Sequence, residues 1–271
     1  GRITVRRKTP GDAAAVAGVG GWAYSDVTGC VNKGEIRYSD EVSAAKAVYV
    51  GGVLGRLDIG KGYVVEDCRN EAPVTLATAQ AANNLLGGIA AYANGENRDT
   101  PNTIRNCENR GDVLADAPVS DKAKTGQARM GGICGGTAVF EGNTNYGKVE
   151  ARGGGKGASE FSIGGISGMI AHDATGCRNF GALTLTAAGT DTTLFVGGLA
   201  VEAGATSATC STTPAGRIFS PIPEVCSDGR RSPSRSPTAR WMPTWCRRRS
   251  TITTATRVRL PIRRTRTAAA R

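Results

Sequence analysis

The chain has 271 residues, of which 38 are glycine and 5% are aromatic, and this composition argues against long helices because glycine is a poor helix former. No stretch of 18 apolar residues occurs, so no transmembrane helix is expected. The net charge is +11, yet residues 1–217 contain 21 basic and 21 acidic side chains, whereas residues 218–271 contain 13 arginines and two acids. The neutral body therefore gives no charge argument for binding nucleic acid.

The body contains a motif that occurs five times. Its frame is an apolar residue, two spacers, Cys, a spacer, Asn, a spacer, Gly, a spacer and an apolar residue, and Ile104–Val113 is a complete copy. Asn is present in all five copies, and Asn143 stands in the Cys position of the fourth. The motif residues are Cys30, Asn32, Cys68, Asn70, Cys107, Asn109, Asn143, Asn145, Cys177 and Asn179.

A second motif, two glycines between apolar residues, alternates with the first. Its successive pairs are 31, 36, 44, 33 and 33 residues apart, and they begin at Gly20, Gly51, Gly87, Gly131, Gly164 and Gly197. Two interleaved motifs in constant order indicate a repeat protein. Gly1–Ile3 matches the end of the first motif, so we expect the chain to begin within a repeat. The frame degenerates at Cys210, which no Asn follows, and it is not visible after Ile218.

Alternation of apolar and polar residues, as in Leu183–Thr186, predicts short strands. Such strands at a repeating interval, separated by Gly and Asn, are typical of a parallel β-solenoid, and we predict an all-β, right-handed β-helix over residues 1–218. Coils stacked at ~4.8 Å would give a rod of ~30 Å with one coil per repeat, or ~60 Å with two. We expect the repeated Asn side chains to form an amide ladder and to tolerate tight corners, and the repeated glycines to supply positive φ.

The cysteines allow two interpretations. The spacings of 38, 39 and 70 residues between Cys30, Cys68, Cys107 and Cys177 follow the repeat and do not match a Cys-x-x-Cys metal motif. A disulfide or metal framework is one interpretation, and a buried stack of free thiols is the other. Parallel Cβ vectors suit a disulfide badly, so the stack is favoured. We predict no metal site and no cofactor.

Catalytic chemistry has few candidates in this sequence. His172 is the only histidine, so a zinc site of the HExxH type cannot form, and we interpret it as a loop residue. A glycan-cleaving β-helix would need two facing carboxylates. The candidates are Glu66, Asp67, Asp112, Glu141 and Asp173, and Glu66 and Glu141 occupy the same motif position, two or more coils apart. Solvated surface acids are the favoured interpretation, and no catalytic residue is predicted.

The pairing of the two motifs resembles the GLUG-type repeats of bacterial surface proteins. Gly131–Gly135, Gly164–Gly168 and Ile104–Val113 carry the resemblance best, and it covers residues 1–218. Such repeats occur in adhesin-like proteins and beside the peptidase domain of immunoglobulin A-cleaving metallopeptidases. The resemblance implies an extracellular or cell-surface β-helical region without catalytic residues, and partners such as glycans or surface proteins. Ala72-Pro73, where the motif has its Gly turn, departs from the pattern.

Residues 219–271 form an Arg-, Pro-, Ser- and Thr-rich tail without periodicity, which we expect to be unstructured. A shifted reading frame is the favoured origin because the tail begins abruptly inside a repeat. A disordered linker is the second interpretation. A basic arm that binds nucleic acid or an anionic surface is the third, with phosphate contacts from Arg230, Arg231, Arg247, Arg248, Arg249, Arg263 and Arg264.

The sequence therefore predicts a non-catalytic repeat segment, a stalk or adhesin-like region, of a larger exported bacterial protein. Ligand contacts are expected from the long spacers Ala91–Pro101 and Pro118–Arg129. A glycan-active β-helix enzyme, either a polysaccharide lyase or a glycosidase, is the first alternative. Polyanion binding through the tail is the second.

Overall fold

The computed structural model describes residues 1–9, 11–40, 47–58, 60–78, 83–93, 100–116, 125–153, 158–187, 192–200 and 208–212. These residues form 25 strands, and no helix in the described ranges could span a membrane. The strands, numbered in chain order, are β1 (Arg2–Arg7), β2 (Ala13–Ala17), β3 (Gly20–Ala23), β4 (Val27–Thr28), β5 (Val31–Asn32), β6 (Glu35–Asp40), β7 (Ala47–Gly51), β8 (Leu54–Leu57), β9 (Val64–Glu66), β10 (Arg69–Asn70), β11 (Val74–Thr78), β12 (Asn83–Gly87), β13 (Ala90–Tyr92), β14 (Thr103–Arg105), β15 (Glu108–Asn109), β16 (Val113–Asp116), β17 (Thr125–Gly131), β18 (Val139–Glu141), β19 (Thr144–Asn145), β20 (Val149–Gly153), β21 (Ala158–Gly164), β22 (Ala174–Asn179), β23 (Leu183–Ala187), β24 (Thr192–Gly197) and β25 (Ala208–Thr212).

The strands stack as the predicted parallel β-solenoid. All the strand pairings are parallel. Sheet A has the order β1-β6-β11-β16-β20-β23, and sheet B has the order β2-β7-β12-β17-β21-β24. Sheet C joins β3, β8 and β13, and single bridges continue it through Cys134, Ser167 and Ala200. Sheet D contains two ladders that both end on β22, with β25 beyond it.

Each repeat forms one coil. Ile3 pairs with Ile36, which pairs with Val74, which pairs with Val113 in the next repeat. The chain thus returns to the same place on sheet A once per repeat, and six strands at ~4.8 Å agree with the shorter of the two predicted rods, about 30 Å. The pairing of Ile3 also confirms that Gly1–Ile3 matches the end of the first motif. The right hand of the solenoid stays a prediction.

The interior holds two apolar clusters that run along the stack. One lies between sheets A and B and includes Ile36, Val50 and Met130, and the other lies between sheets C and D and includes Ile89 and Phe140. The burial of β6 alternates along the strand, as expected where one face of a sheet is packed and the other is solvated. Each coil therefore adds one layer to a continuous core.

The prediction that the repeated glycines supply positive φ is wrong. Among the described residues, positive φ occurs at Gly29, Gly60, Gly62, Gly142, Gly176, Asp67 and Asn106, and none of these is a ladder Asn or a motif Gly. The motif glycines serve close backbone approach instead. A Cβ on Gly88 would lie 2.2 Å from the carbonyl oxygen of Gly132, and one on Gly147 would lie 2.0 Å from that of Gly111. Neighbouring coils leave no room for a side chain at these corners.

The first Gly-Gly pair was aligned incorrectly on sequence. Ala17 pairs with Gly51, and the N–H of Gly18 donates to the carbonyl of Gly52 at 3.0 Å. Gly18 therefore occupies the second-glycine position, three residues before the predicted Gly21. The error arises because an apolar-Gly-Gly pattern follows the true corner, so the sequence offers two possible alignments. Only the pairing of the coils shows which alignment is correct.

The degenerate copy at Cys210 still continues the stack. Strand β25 pairs with β22, and the register shifts between Thr175 and Arg178, so that Thr212 lies opposite Asn179. Residues 213–271 lie outside the described residues. The predicted end of the solenoid at residue 218 and the three interpretations of the tail therefore stay predictions.

Candidate functional site

The predicted amide ladder is present in the structure at the corner between sheets D and A. Each Nδ2 donates to the Oδ1 of the next Asn at 2.8 Å, in the order Asn32, Asn70, Asn109, Asn145 and Asn179. The same nitrogen also donates to the carbonyl two residues further along, as from Asn109 to Gly111 at 2.8 Å. All five side chains are at most 6% exposed. The buried amides are thus paired between coils and within each coil, which fixes the register of the stack.

The two sequence motifs meet across the interior. A Cβ on Gly88 would lie 2.2 Å from Cγ of Asn109, and the equivalent distance is 2.2 Å from Gly132 to Asn145. The second glycine of each pair therefore packs directly against the ladder Asn of its own coil. This contact gives a physical reason for the constant alternation of the two motifs, since neither can be moved without the other.

The repeat cysteines form a column beside the ladder, and none of them forms a disulfide with a described residue. Cys68, Cys107 and Cys177 are each 1% exposed, and Cys30 is half-buried. Asn143 fills the fourth place in the column, where its Oδ1 accepts a hydrogen bond from the N–H of Cys107 at 2.9 Å and its Nδ2 donates to the carbonyl of Ile104 at 2.7 Å. The carboxamide thus makes hydrogen bonds where the other coils place a small apolar thiol.

Burial makes the thiols of Cys107 and Cys134 poor nucleophiles. A hydrogen bond with Cys68, together with burial, raises the pKa of Cys107, and burial raises the pKa of Cys134 to about 12. Cys134 lies in the column of sheet C, outside the sequence motif, between Ala90 and Ser167. A protonated thiol without access to solvent has no means of attacking a substrate. In the part of the chain that the structure describes, no group of three or more His, Cys, Asp or Glu side chains could hold a metal ion.

The two carboxylates at equivalent motif positions are separated by a cation. Glu66, Arg105 and Glu141 stand in consecutive coils of sheet D, so the predicted separation of two coils is present. Arg105 binds Glu66 through Nε–Oε1 and Nη2–Oε2 contacts, both of 2.8 Å. A carboxylate held by a bidentate guanidinium is an ion-pair partner rather than a free acid or base.

The other candidate residues lie at turns. Asp67 is exposed with φ of 53°, and Asp112 accepts a hydrogen bond from the N–H of Lys148 at 2.9 Å. Asp173 and His172 lie in the loop that precedes β22, as predicted for the histidine, and His172 is 8% exposed. The structure therefore does not gather these side chains into one site.

Sequence reasoning missed a column of left-handed residues that divides sheet D into its two ladders. Their φ values are 63°, 53°, 52°, 64° and 65° at Gly29, Asp67, Asn106, Gly142 and Gly176. The signal was visible in the motif, because the spacer before each Cys or its substitute is Gly, Asp or Asn. These are the residues that adopt a left-handed conformation at least cost.

The chain matches no known family model, no curated protein and no solved structure. Residues 94–99 and 117–124, in the two spacers expected to bind ligand, lie outside the described residues. The functional assignment therefore depends on the features that run along the described coils, above all the amide ladder and the Gly-Gly corner packed against it.

Proposed function

We propose that this chain is a non-catalytic rod segment, a stalk or adhesin-like region, displayed on the surface of a larger exported bacterial protein. The observation that carries the proposal is the contact between the Gly-Gly corner and the amide ladder, which recurs from coil to coil. The repeated polar residues are used to join the coils, and their hydrogen-bonding groups are directed into the stack instead of toward a cleft.

A stack of this kind suits a spacer. Each coil contacts its neighbours through backbone pairing and through the ladder, so added coils lengthen the rod without changing its cross-section. With Gly18 aligned to Gly52, the repeat length varies between 33 and 44 residues, and loops between strands take up that variation. A rod with a constant interior and variable loops can hold a distance and present different surfaces along its length.

Export is supported by the resemblance to GLUG-type repeats, and the state of the cysteines is compatible with it. Cys68, Cys107, Cys134 and Cys177 form no disulfide with a described residue, and each is at most 1% exposed. An oxidising compartment favours disulfides between thiols that can reach each other or a reagent. Burial protects these thiols, three of them in the column and Cys134 in sheet C, so the fold is compatible with an oxidising compartment without a disulfide framework.

The proposal is tested by protease treatment of intact cells that carry the full-length protein. We expect peptides from residues 1–218 to be released from intact cells, while a cytoplasmic control protein stays uncut. Release only after lysis would contradict surface display. Incubation of the protein with acidic and neutral polysaccharides tests the non-catalytic part, and turnover that Glu66→Gln or Glu141→Gln abolishes would establish the enzymatic alternative.

A further inference from the structure

The outer faces of sheets B and C meet in a groove that the repeat motifs do not describe. It contains a cavity of about 190 Å³ lined by Tyr49, Asn83, Asn84, Leu85, Tyr92 and Arg129. The Gly-Gly corner draws the two sheets together, since a Cβ on Gly51 would lie 1.8 Å from the carbonyl oxygen of Leu54 and one on Gly87 would lie 2.0 Å from that of Ala90. We call this surface, with Arg56 and Trp22 beside it, the aromatic groove.

Aromatic rings in this groove surround a guanidinium group. Trp22, Arg56 and Tyr92 are consecutive residues of one column in sheet C. The Arg56 guanidinium carbon lies 4.1 Å from the ring centroid of Trp22, 5.5 Å from that of Tyr49 and 5.7 Å from that of Tyr92. In the next coil Gly136 leaves room for Tyr92, because a Cβ there would lie 2.7 Å from Cδ2 of its ring. The rings and the guanidinium are thus held in a fixed arrangement by packing on neighbouring coils.

The positive charge of the groove is not neutralised by the residues that the structure describes. Neither Arg56 nor Arg129 forms an ion pair with any of them, and Nε of Arg56 is buried without a hydrogen-bond partner. Five arginines elsewhere on the rod do have carboxylate partners, namely Arg2, Arg69, Arg105, Arg110 and Arg152, whereas Arg178 on sheet D, like the groove arginines, forms no ion pair with a described residue. One unpaired guanidinium group over aromatic faces, Arg56, and a second arginine that lines the same cavity, Arg129, indicate a site for an anionic ligand with an apolar surface.

We propose that the aromatic groove binds a glycan that carries carboxylate groups, such as a uronate-containing oligosaccharide. Tyr49 and Tyr92, whose ring centroids are 5.5 Å apart, offer apolar surface to the C–H face of a sugar ring. Arg129 supplies a planar donor pair for the carboxylate, and the exposed amide of Asn83 supplies donors and an acceptor for hydroxyl groups. This assignment rests on the proposed display of the rod at a surface, where such glycans are accessible.

A peptide fits this groove less well. One mode of peptide binding, which relies on main-chain hydrogen bonds, adds a strand to an open sheet edge. The strands that form the groove, β7, β8, β12 and β13, have their backbone groups directed along the rod axis to other coils. The groove thus offers side chains and little free backbone, which favours a ligand recognised through rings, hydroxyls and carboxylates.

The test is titration of the full chain with a glucuronate-containing tetrasaccharide, followed by calorimetry. The matched control ligand is its carboxyl-reduced form, which is neutral and otherwise similar in shape. We expect the reduced sugar to bind at least about tenfold more weakly, because it removes the charge-assisted hydrogen bonds. Binding of both sugars with equal affinity would overturn the proposal, and so would the absence of binding of the acidic sugar at about 10 mM.

Variants distinguish binding in the groove from attraction by net charge. Arg129→Gln in the groove and Arg178→Gln on sheet D remove the same charge. We expect Arg129→Gln to weaken binding about tenfold or more and Arg178→Gln to weaken it less than about twofold. Tyr92→Ala should also weaken binding about tenfold, and the exposed Asn83→Ala provides a second variant without risk to folding. Circular dichroism checks that each variant is folded.

Three outcomes would overturn the assignment. Equal losses for Arg129→Gln and Arg178→Gln would mean non-specific attraction by net charge. Competition by oligoglutamate as strong as that by the acidic sugar would mean that the occupant is an acidic peptide. Unchanged binding in Asn83→Ala and Tyr92→Ala would place the ligand elsewhere. Failure of binding in a protein that is shown to be surface-displayed would refute this inference alone, whereas protection from protease on intact cells would refute the display.

Discussion

The amide ladder and the aromatic groove cross the same coils, but one residue type recurs in the ladder and the residue types differ from coil to coil in the groove. In the ladder, Asn recurs in five coils, is buried, and forms side-chain hydrogen bonds with the Asn of the neighbouring coil. In the column of sheet C that borders the groove, Trp22, Arg56 and Tyr92 succeed one another with no repetition at all. Positions that must pair with the coil above and below are constrained to one residue, whereas positions that face outward are free to differ. The repeated residues therefore explain the fold, and the unrepeated ones are where binding is to be sought.

The largest expected effect comes from filling the Gly-Gly corner. Gly88→Ala places a Cβ 2.2 Å from both a backbone oxygen of Gly132 and Cγ of Asn109, so backbone and ladder must both move. We expect a loss of at least about 3 kcal/mol in the free energy of unfolding, or failure to fold. Urea titration measures it. Gly62→Ala is the matched control, because Gly62 has φ of 69° with open space around it, and should cost only about 1 kcal/mol. If Gly88→Ala and Gly62→Ala are equally destabilised, backbone conformation and not the close approach of the coils is the reason for glycine at the corner.

The second prediction removes one member of the ladder. Asn109→Ala eliminates two inter-coil hydrogen bonds of 2.8 Å and leaves neighbouring buried amides without a partner. We expect a destabilisation of about 2–4 kcal/mol by urea unfolding. Asn32→Ala removes only one inter-coil bond and should cost about half as much. If the two variants are equally destabilised, the inter-coil bonds are not the source of the effect.

The third prediction concerns an outward column of sheet A, where Glu150 is only 8% exposed and pairs with Lys148 at 2.5 Å and with Arg152. Burial by itself raises the pKa of Glu150, but the two cations outweigh it and hold the pKa below its usual value. The pairing therefore stabilises the fold above about pH 4.5 and is lost as the pH falls below it. We expect the unfolding free energy to fall by about 1 kcal/mol or less between pH 5 and 3. Glu150→Gln should flatten that part of the profile, and an unchanged profile in this variant would show that the pairing of Glu150 is not its source.

The smallest expected effect is chemical and leaves stability unchanged. In the folded protein an alkylating reagent should modify half-buried Cys30 before Cys68, Cys107 or Cys177, which are 1% exposed. Peptide mapping by mass spectrometry measures each rate. In urea the rates should become similar. Modification of Cys107 as fast as that of Cys30 in the native state would show that the column opens readily.

The solenoid and the ladder could be predicted because identical residues recur at intervals close to one coil. The 38-residue and 39-residue steps from Asn32 to Asn70 to Asn109 are enough to place the three side chains in one row. The first Gly-Gly pair was placed incorrectly because a local pattern cannot reveal which residues two coils pair. Positive φ was predicted at the wrong glycines. Positive φ and close backbone approach both require glycine, for different reasons, so the sequence does not distinguish them.

The aromatic groove could not be predicted in the same way. Tyr92 and Arg129 fall within the two spacers expected to bind ligand, but they act from strands β13 and β17. Their neighbours Tyr49 and Arg56 come from an earlier coil, and no residue type repeats among them. A site built from different side chains on successive coils has no period, so it becomes visible only when the coils are stacked.

The amide ladder also gives the rod a polarity. Every Nδ2 donates toward the C-terminal coil and every Oδ1 accepts from the N-terminal one, so the side-chain dipoles of the ladder point the same way along the axis. At the last rung, Asn179 donates to the carbonyl of Gly198, and in the next coil Thr212 lies opposite Asn179. A coil can therefore be added to such a ladder only with its acceptor facing the existing donor. Two rods of this kind can be joined head to tail by their amides but never head to head.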